Sequence, residues 1–354
     1  MNIDKLYMQR CFDLAVLGAQ NTAPNPMVGA VIVHNNRIIG EGYHRRYKTA
    51  HAEVNAVVNV APADRHLLPH STIYVSLEPC NIYGHTPPCT QLILQHKIPR
   101  LVVSYIDRTP GVDGSGLDLL RNKGVEVVTG VLKQQGEHLS AARNTFVSKN
   151  RPYIILKYAQ SVNGIFAPTE NRQLWLSNKY SELLTHRWRS EVKAILVGKN
   201  TVLADNPKLT TRLYPGPNPI RVVIDTKGEI PESMAVFDGE ADTLVITRQP
   251  RGKLHHDKME YAVCPEDMPI LDFLLHTLKE KRVSILLVEG GIYTLNQFIE
   301  QNYWDEARIF IAPNYLCDGR VAPQLNGHVM QSHHLKHDQL IVLKNEYSQS
   351  LNFH

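Results

Sequence analysis

Residues 77–89, with the sequence LEPCNIYGHTPPC, contain two cysteines, Cys80 and Cys89, directly after a short apolar run that is typical of a buried strand. Upstream of them, residues 51–53 read HAE and begin a stretch with the apolar spacing of a helix. One imidazole and two thiols supply three ligands for a zinc ion and leave its fourth position open. The pattern therefore predicts a metal centre formed by His51, Cys80 and Cys89, with Glu53 as a carboxylate that does not bind the metal.

Such a centre is suited to the hydrolytic deamination of a nitrogen-containing ring. Zinc lowers the pKa of a water molecule at its open position to near neutrality, which makes that water a nucleophile. A carboxylate outside the ligand set then carries a proton from the water to the ring nitrogen and on to the departing ammonia. Each of the four residues taken alone is more often structural. Their ordered combination favours the metal centre, and cysteines near helix starts would be held as the thiolates that zinc requires.

The residues around this motif have the alternating pattern of an α/β domain. Asn35-Asn36 is a turn signal between two apolar runs and predicts a β-hairpin. The predicted strands are residues 28–33, 37–42, 72–77, 100–106 and 125–131. The predicted helices are the first 20 residues and residues 51–60, 90–95 and 117–123. Strands that alternate with helices indicate a sheet covered on both faces.

A second α/β domain follows a short polar segment, residues 148–152 (SKNRP), which is a plausible link. Strands are predicted at residues 153–159, 194–197, 221–225, 243–247, 285–288 and 308–311, and a helix at 178–190. The domains are expected to span residues 1–147 and 152–354. Residues 288–291, VEGG, place a glycine pair after a strand, where backbone amides could approach a pyrophosphate. A plain turn is the alternative, and the dinucleotide fingerprint GxGxxG is absent.

Composition narrows the class of protein. A length of 354 residues indicates two domains, and 43% apolar residues exclude a disordered chain. Five cysteines are too few and too irregular for a disulfide framework, which favours a reducing, cytoplasmic location. A net charge of +4 is too small for a nucleic-acid groove, and no apolar run of about 18 residues could cross a membrane.

Further motifs in the first half carry a family resemblance. Residues 24–29 (PNPMVG), 42–44 (GYH), 51–53 (HAE), 77–80 (LEPC) and 84–89 (GHTPPC) resemble the bifunctional riboflavin-biosynthesis enzymes, in which a pyrimidine deaminase is fused to a reductase. Eight residues between the cysteines are normal in that family. The resemblance implies a three-layer domain like cytidine deaminase, with Zn²⁺ on His51, Cys80 and Cys89 and with Glu53 as the proton shuttle. It also implies that Asn25 and His44 line the substrate pocket.

The second half resembles the reductase part of the same family through residues 156–161, 174–177, 197–212 and 288–291. The resemblance implies a fold like dihydrofolate reductase and NADPH as the cofactor. The implied NADPH contacts are Ala159, Trp175, Thr201, Asp205, Thr226 and the turn from Gly291. The implied contacts to the phosphoribosyl substrate are Arg189, Leu209, Arg212 and Glu289, with the arginines on the phosphate. Lys157 and Asp205 are the alternative proton donors for the reduction.

The resemblance implies a phosphoribosyl diaminopyrimidine as the substrate, which is first deaminated and then reduced from ribosyl to ribityl. It also implies a homo-oligomer of two or more chains, without nucleic-acid or membrane partners. Two alternatives remain at this point: a degenerate, structural or regulatory reductase half, and a nucleic-acid editing deaminase. The departures from the family pattern are His85 for an arginine, Asn163 for an aspartate and Gln173 for a serine. With that arginine absent, the candidates for the phosphate contact are His85, Arg45, Arg46 and Lys48; the alternative is that these residues are solvated loop charges.

Other titratable residues are expected to be structural. His333, His334 and His337 lie in polar sequence and are predicted to form a solvated loop rather than a metal site. Cys264 and Cys317 are predicted to be buried thiols.

Overall fold

The computed structural model describes residues 2–84, 86–109, 111–169, 176–249 and 257–351. The chain divides into two compact units, Met1–Ser148 and Lys149–His354. Each unit is built on a sheet with helices packed against it, which confirms the predicted α/β class. Within the described segments, no helix combines the length and the apolar character needed to cross a bilayer.

The described residues of the first unit form five strands and five α-helices. The strands are β1 (Gly29–His34), β2 (Arg37–Tyr43), β3 (Thr72–Leu77), β4 (Arg100–Tyr105) and β5 (Glu126–Thr129). The helices are α1 (Ile3–Ala15), α2 (Ala52–Val58), α3 (Cys89–Gln95), α4 (Ser115–Asn122) and α5 (Lys133–Ser148). The predicted hairpin is confirmed: β1 and β2 are antiparallel, and Asn35 and Asn36 both have the positive φ of a tight hairpin turn.

The sheet of the first unit has the strand order β2-β1-β3-β4-β5, with β3, β4 and β5 parallel. Side chains alternate between its faces. Ala30 and Ile32 of β1 pack in a core with α2, α3 and α4. Val31 and Val33 pack in a second core with α1 and with Leu139 of α5. The result is a three-layer α/β/α arrangement, in which α2 and α3 lie on the same face.

The second unit is larger. Its first strands and helices are β6 (Tyr153–Ser161), β7 (Ile165–Ala167), α6 (Lys179–Glu191), β8 (Ala194–Gly198), α7 (Lys199–Asp205), β9 (Ile220–Ile224), β10 (Thr243–Thr247) and β11 (Met259–Val263). They are followed by α8 (Ile270–Glu280), β12 (Ile285–Gly290), α9 (Ile292–Glu300), β13 (Glu306–Ala312), β14 (Arg320–Val321), β15 (His328–Leu335) and β16 (Asp338–Lys344).

Nine of these strands form one sheet in the order β11-β10-β9-β8-β12-β6-β13-β16-β15. It is parallel from β11 to β13, and β16 and β15 add an antiparallel edge. Its main core holds side chains of α8 and α9 against the central strands. Because neighbouring strands are parallel, their carboxyl ends lie at one edge of the sheet, where ligands bind in open α/β folds.

Two of the sequence expectations are wrong. His333 and His334 lie in strand β15 rather than in a loop, because that segment pairs with β16; both side chains are exposed, as predicted. Cys317 is exposed, since it lies in a loop after β13, whereas Cys264 is buried as predicted.

Candidate active site

Three elements of the first unit bring the predicted metal ligands together. His51 is the residue that precedes α2, Cys80 follows β3, and Cys89 is the first residue of α3. The Nδ1 atom of His51 lies 3.5 Å from the Cys80 Sγ atom and 3.4 Å from the Cys89 Sγ atom. A tetrahedral zinc ion with its usual bond lengths holds a nitrogen and a sulfur ligand about 3.5 Å apart. Both nitrogen–sulfur distances therefore fit a tetrahedral zinc ion.

The sulfur atoms are already prepared for a cation. A hydrogen bond from the Cys89 thiol lowers the pKa of Cys80 to about 4, against the opposing effect of burial. The same hydrogen bond raises the pKa of Cys89. The backbone N–H of Cys89, at the start of α3, also points at the Cys80 sulfur, 3.4 Å away. Amides at a helix start stabilise negative charge, so this position favours the thiolate form of Cys80.

Glu53 lies in the first turn of α2, two residues after His51, and only 3% of it is exposed. Burial raises its pKa, and the charge of His51 partly offsets this effect. Among the described residues, the group able to hold a metal consists of His51, Cys80 and Cys89 and does not include Glu53. A carboxyl group outside the ligand set, beside the metal ligands, is suited to accept and donate a proton during the reaction.

Glu78 is a feature of this site that the sequence analysis did not single out. Its carboxylate accepts hydrogen bonds from the backbone N–H groups of Asp107 (3.3 Å), Gly114 (2.8 Å) and Gly116 (3.1 Å). These bonds tie the loop after β4 to the segment that carries Cys80. The position of Glu78, directly after an apolar strand and inside the LEPC motif, could have indicated this role, because a carboxylate in such a place is expected to be buried and then needs hydrogen-bond donors.

One cavity joins two of the predicted metal ligands, Glu53 and the predicted pocket residues. Asn25, His44, His51, Glu53 and Cys80 all line it. His44 Nδ1 lies 3.1 Å from the carbonyl oxygen of Ala50, and its Nε2 lies 3.2 Å from Asn25 Nδ2. These contacts assign the ring proton to Nδ1 and make Nε2 the acceptor of the Asn25 amide, which leaves the Asn25 carbonyl oxygen for a ligand.

The candidates for a phosphate contact are distributed differently from the expectation. Lys48 lines the cavity and is exposed. Arg45 instead lines a separate groove beside β2. Arg46 is exposed and lines neither the cavity nor this groove. His85 lies outside the described residues. Arg143 of α5, which the sequence analysis missed together with its helix, does line the cavity.

In the second unit, two of the predicted substrate residues, Arg189 and Glu289, form a buried ion pair. Arg189 on α6 donates from Nε and Nη2 to the two carboxylate oxygens of Glu289 on β12, at 2.9 and 2.7 Å. Its Nη1 also donates to the carbonyl oxygen of Thr210, the residue after buried Leu209. Burial opposes ionisation of Glu289, but the charges of Arg189 and Lys157 outweigh it and lower the pKa of Glu289 to about 2.

Arg212 and Lys157 belong to the same neighbourhood. The backbone N–H of Arg212 donates to His186 Nδ1 on α6 at 3.0 Å. Lys157 on β6 is half-buried, with its Nζ atom 5.7 Å from the centre of the Phe310 ring, and desolvation lowers its pKa. The structure thus gathers Arg189, Arg212, Glu289 and Lys157 into a predominantly cationic cluster that is suited to a phosphate.

The predicted NADPH residues follow the carboxyl ends of neighbouring strands. Ala159 is near the end of β6, Thr201 is on α7 directly after β8, Thr226 follows β9, and Gly291 follows β12 and precedes α9. A Cβ atom placed on Gly291 would lie 2.9 Å from the Thr201 hydroxyl oxygen, so the glycine turn and Thr201 are in close contact. Gly291 has no side chain to cap α9, whose first amides remain for a pyrophosphate. This arrangement fits a dinucleotide.

The remaining predicted NADPH contacts are Asp205 and Trp175. Asp205 is the last residue of α7 and is exposed, although partial burial of its carboxyl raises its pKa. Trp175 and Gln173 lie outside the described residues.

Comparisons with known proteins agree with this division. A family model described as the cytidine and deoxycytidylate deaminase zinc-binding region matches residues 1–105, and one described as the RibD C-terminal domain matches residues 152–347. The riboflavin biosynthesis protein RibD of Aquifex aeolicus is 37% identical over 321 residues, which cover 90% of this chain and 89% of the relative. The protein of the same name from Bacillus amyloliquefaciens is 36% identical over 330 residues, 91% of this chain and 88% of the relative.

A crystal structure of similar fold covers almost the whole chain. It is a diaminohydroxyphosphoribosylaminopyrimidine deaminase/5-amino-6-(5-phosphoribosylamino)uracil reductase from Thermotoga maritima, with a TM-score of 0.88 and 32% identity. The match covers 97% of this chain and 98% of that chain.

Proposed function

The chain belongs to the RibD family of riboflavin biosynthesis proteins, and from this membership we propose that it catalyses two consecutive steps of riboflavin formation. The first is the zinc-dependent hydrolytic deamination of 2,5-diamino-6-ribosylamino-4(3H)-pyrimidinone 5′-phosphate. The second is the NADPH-dependent reduction of the ribosyl side chain to ribityl. The observation that carries the proposal is the cluster of His51, Cys80 and Cys89 beside a cavity that His51, Cys80 and buried Glu53 line.

In the deamination, His51, Cys80 and Cys89 would hold a zinc ion, which would supply the Lewis acidity that makes water a nucleophile near neutral pH. Glu53 would move two protons in turn: one from the attacking water to the ring nitrogen, and a second from the hydroxyl group then attached to the ring carbon to the amino group that leaves as ammonia. Asn25 and His44 orient the pyrimidine at the cavity wall, through the Asn25 carbonyl oxygen that their mutual contact leaves available.

In the reduction, Arg189 and Arg212 bind the substrate phosphate, while Leu209 and Glu289 shape the same pocket. Ala159, Trp175, Thr201, Asp205, Thr226 and the turn from Gly291 bind NADPH, which supplies the hydride. The role of the protein is placement of the two reactants. Lys157, which lies with the substrate cluster, and Asp205, at the end of α7, are the two candidates for the proton donor.

The assignment of these steps to parts of the chain is also a proposal. Residues 1–147 carry the deaminase and residues 152–354 the reductase, in a cytoplasmic homo-oligomer of two or more chains. Five unpaired cysteines support a reducing compartment. The family matches do not favour a nucleic-acid editing deaminase or a degenerate reductase half.

The test is product analysis by mass with purified protein. Without NADPH, the diaminopyrimidine substrate should yield ammonia and the deaminated ribosyl compound; with NADPH, the ribityl compound should accumulate. Failure to deaminate the substrate, or to consume NADPH with the deaminated compound, would refute the corresponding half of the proposal.

Glu53→Gln separates the two steps. It should reduce ammonia release by about 10²- to 10⁴-fold, because an amide cannot carry the proton, while zinc content stays unchanged. NADPH oxidation with supplied deaminated compound should remain normal. Glu126→Gln, which changes an exposed acid on β5, is the matched control. Ammonia release at the wild-type rate in Glu53→Gln would contradict the role of Glu53.

A further inference from the structure

Arg143 places a positive charge in the wall of the cavity that contains the metal ligands. It lines this cavity together with Asp107 and Thr109 of the loop after β4. Its Nη2 atom donates to the Thr109 hydroxyl oxygen at 3.2 Å. Thr109 is in turn fixed by Asp107 Oδ1, which accepts from its backbone N–H (2.8 Å) and its hydroxyl (2.6 Å). The position of the guanidinium is therefore determined by the loop.

The helix that carries Arg143 lies close to the sheet. A Cβ atom on Gly136 would lie 2.3 Å from the Ser104 hydroxyl oxygen on β4, so only glycine allows α5 to approach this strand so closely. Residues four and seven positions further along share the same helix face. These are Ser140, which is buried, and Arg143. The packing of α5 on β4 thus directs Arg143 toward the carboxyl end of β4, where the loop with Thr109 begins.

The guanidinium of Arg143 is only partly satisfied. It forms no ion pair with a carboxylate in the described part of the chain, and its Nε atom is buried without a hydrogen-bond partner there. Burial lowers its pKa. Arg143 is half-buried, and the charge of Asp107 opposes the effect of burial without forming an ion pair with it in the described residues; an anion placed in the cavity would compensate for the remaining loss of hydration. Lys48, the other basic cavity residue with a long side chain, is exposed and has no comparable loss of hydration.

From this geometry we infer that Arg143 binds the phosphate of the phosphoribosyl substrate and is thereby a specificity-determining residue of the deamination site. The inference rests on the proposed function. A guanidinium binds phosphate through two parallel N–H groups, which histidine cannot do. Position 85 carries histidine where the resembling family usually has arginine. In this chain, Arg143 of α5 supplies that pair of N–H groups.

The test compares the substrate with its dephosphorylated nucleoside, using ammonia release in the absence of NADPH as a readout of the deamination site alone. Arg143→Gln should raise the KM for the phosphorylated substrate by about 10- to 100-fold, as expected for a lost charged hydrogen bond, and leave kcat nearly unchanged. It should leave the KM for the nucleoside unchanged. Arg143→Lys, which keeps the charge without the fork, should give an intermediate KM.

Controls and competing outcomes keep the inference distinct from the proposed function. Arg65→Gln, an exposed arginine outside the cavity, should behave as wild type, and ribose 5-phosphate should inhibit the wild type competitively but inhibit Arg143→Gln at least about tenfold more weakly. A wild-type KM in Arg143→Gln would overturn the inference alone. Equal losses on both substrates, with reduced zinc content or melting temperature, would assign Arg143 a structural role. No ammonia release by the wild type would refute the proposed function and the inference with it.

Discussion

His186 shows how a single hydrogen bond determines the protonation state of a side chain in the second unit. Its Nδ1 atom accepts the backbone hydrogen of Arg212, which requires that nitrogen to be unprotonated. Burial, together with the charges of Arg189 and Arg212, lowers the pKa of His186 to about 4. The neutral ring thus supports the backbone that presents Arg212 to the substrate cluster.

The stability of the second unit should therefore depend on pH. An unfolded histidine titrates near pH 6.5, so between pH 6.5 and about 4 the unfolded state binds more protons than the folded state. The contribution of His186 is complete above pH 6.5 and is lost as the pH falls through this window. Glu289, with its pKa lowered to about 2, acts in the same direction below pH 4.5.

The measurement is thermal melting followed by tryptophan fluorescence between pH 7.5 and 4.5. All three tryptophans of the sequence, Trp175, Trp188 and Trp304, follow residue 149, so they report the second unit. His186→Asn keeps an acceptor near the position of Nδ1 and should remove about one proton from the pH dependence of unfolding. Parallel slopes for wild type and variant would contradict the assignment.

Asn163 gives a structural reason for one departure from the family pattern. Its Oδ1 accepts from the Ser161 hydroxyl (2.8 Å) and from the backbone N–H of Leu316 (3.1 Å), while its Nδ2 donates to the Leu316 carbonyl oxygen (2.8 Å). An ionised aspartate could not donate this last bond. The substitution therefore replaces a charge with a two-way link between two loops.

At the scale of elements, the approach of α1 to β1 depends on a residue without a side chain. A Cβ atom on Gly29 would lie 2.0 Å from the carbonyl oxygen of Cys11 in α1. Backbone cannot move aside as a flexible side chain can, so the helix would have to shift away from the sheet. The core formed by Met8, Cys11 and Val31 would then loosen.

Gly29→Ala should destabilise the first unit by about 1–3 kcal/mol, the usual range for overpacking. Differential scanning calorimetry should show a lower first-unit transition, with an unchanged tryptophan-monitored melt. Gly84→Ala, at a site where an added Cβ meets nothing within 4 Å, should change stability by less than about 0.5 kcal/mol. Equal effects of the two variants would refute the packing argument.

At the scale of the whole molecule, the candidate zinc site would link three segments of the first unit: the start of α2, the segment after β3 and the start of α3. An ion that binds only the folded state increases the free energy of unfolding, and the increase grows with the logarithm of the ratio of ion concentration to dissociation constant. Removal of the ion should therefore affect the stability of the first unit as well as its activity.

Zinc removal by a chelator should abolish ammonia release and lower the melting temperature of the first unit by about 5–10 °C. NADPH oxidation with supplied deaminated compound and the tryptophan-monitored melt should persist. Added zinc should restore ammonia release in the wild type but not in Cys89→Ser. Loss of both activities on chelation would contradict the assignment of the two steps to separate parts of the chain.

Much of this architecture is encoded locally and was predictable. Helix periodicity, strand alternation and the Asn35-Asn36 turn depend on residues close in sequence, and the predicted strands and helices are present. His51, Cys80 and Cys89 could be identified because their residue types and spacing restrict the chemistry. Strand β15, with exposed histidines, was not recognised, because its strand conformation depends on pairing with β16 rather than on its own composition.

The sequence by itself determined the α/β class, the ligand set of the candidate zinc centre and its acidic partner, since each depends on short patterns with specific chemistry. Only the tertiary structure decided which basic residue reaches the cavity and how Glu78 holds the loop after β4. Those features join residues far apart in sequence: Arg143 and Thr109 are 34 positions apart, and Glu78 and Gly114 are 36 positions apart. Such contacts depend on the positions of whole elements, which no local pattern specifies.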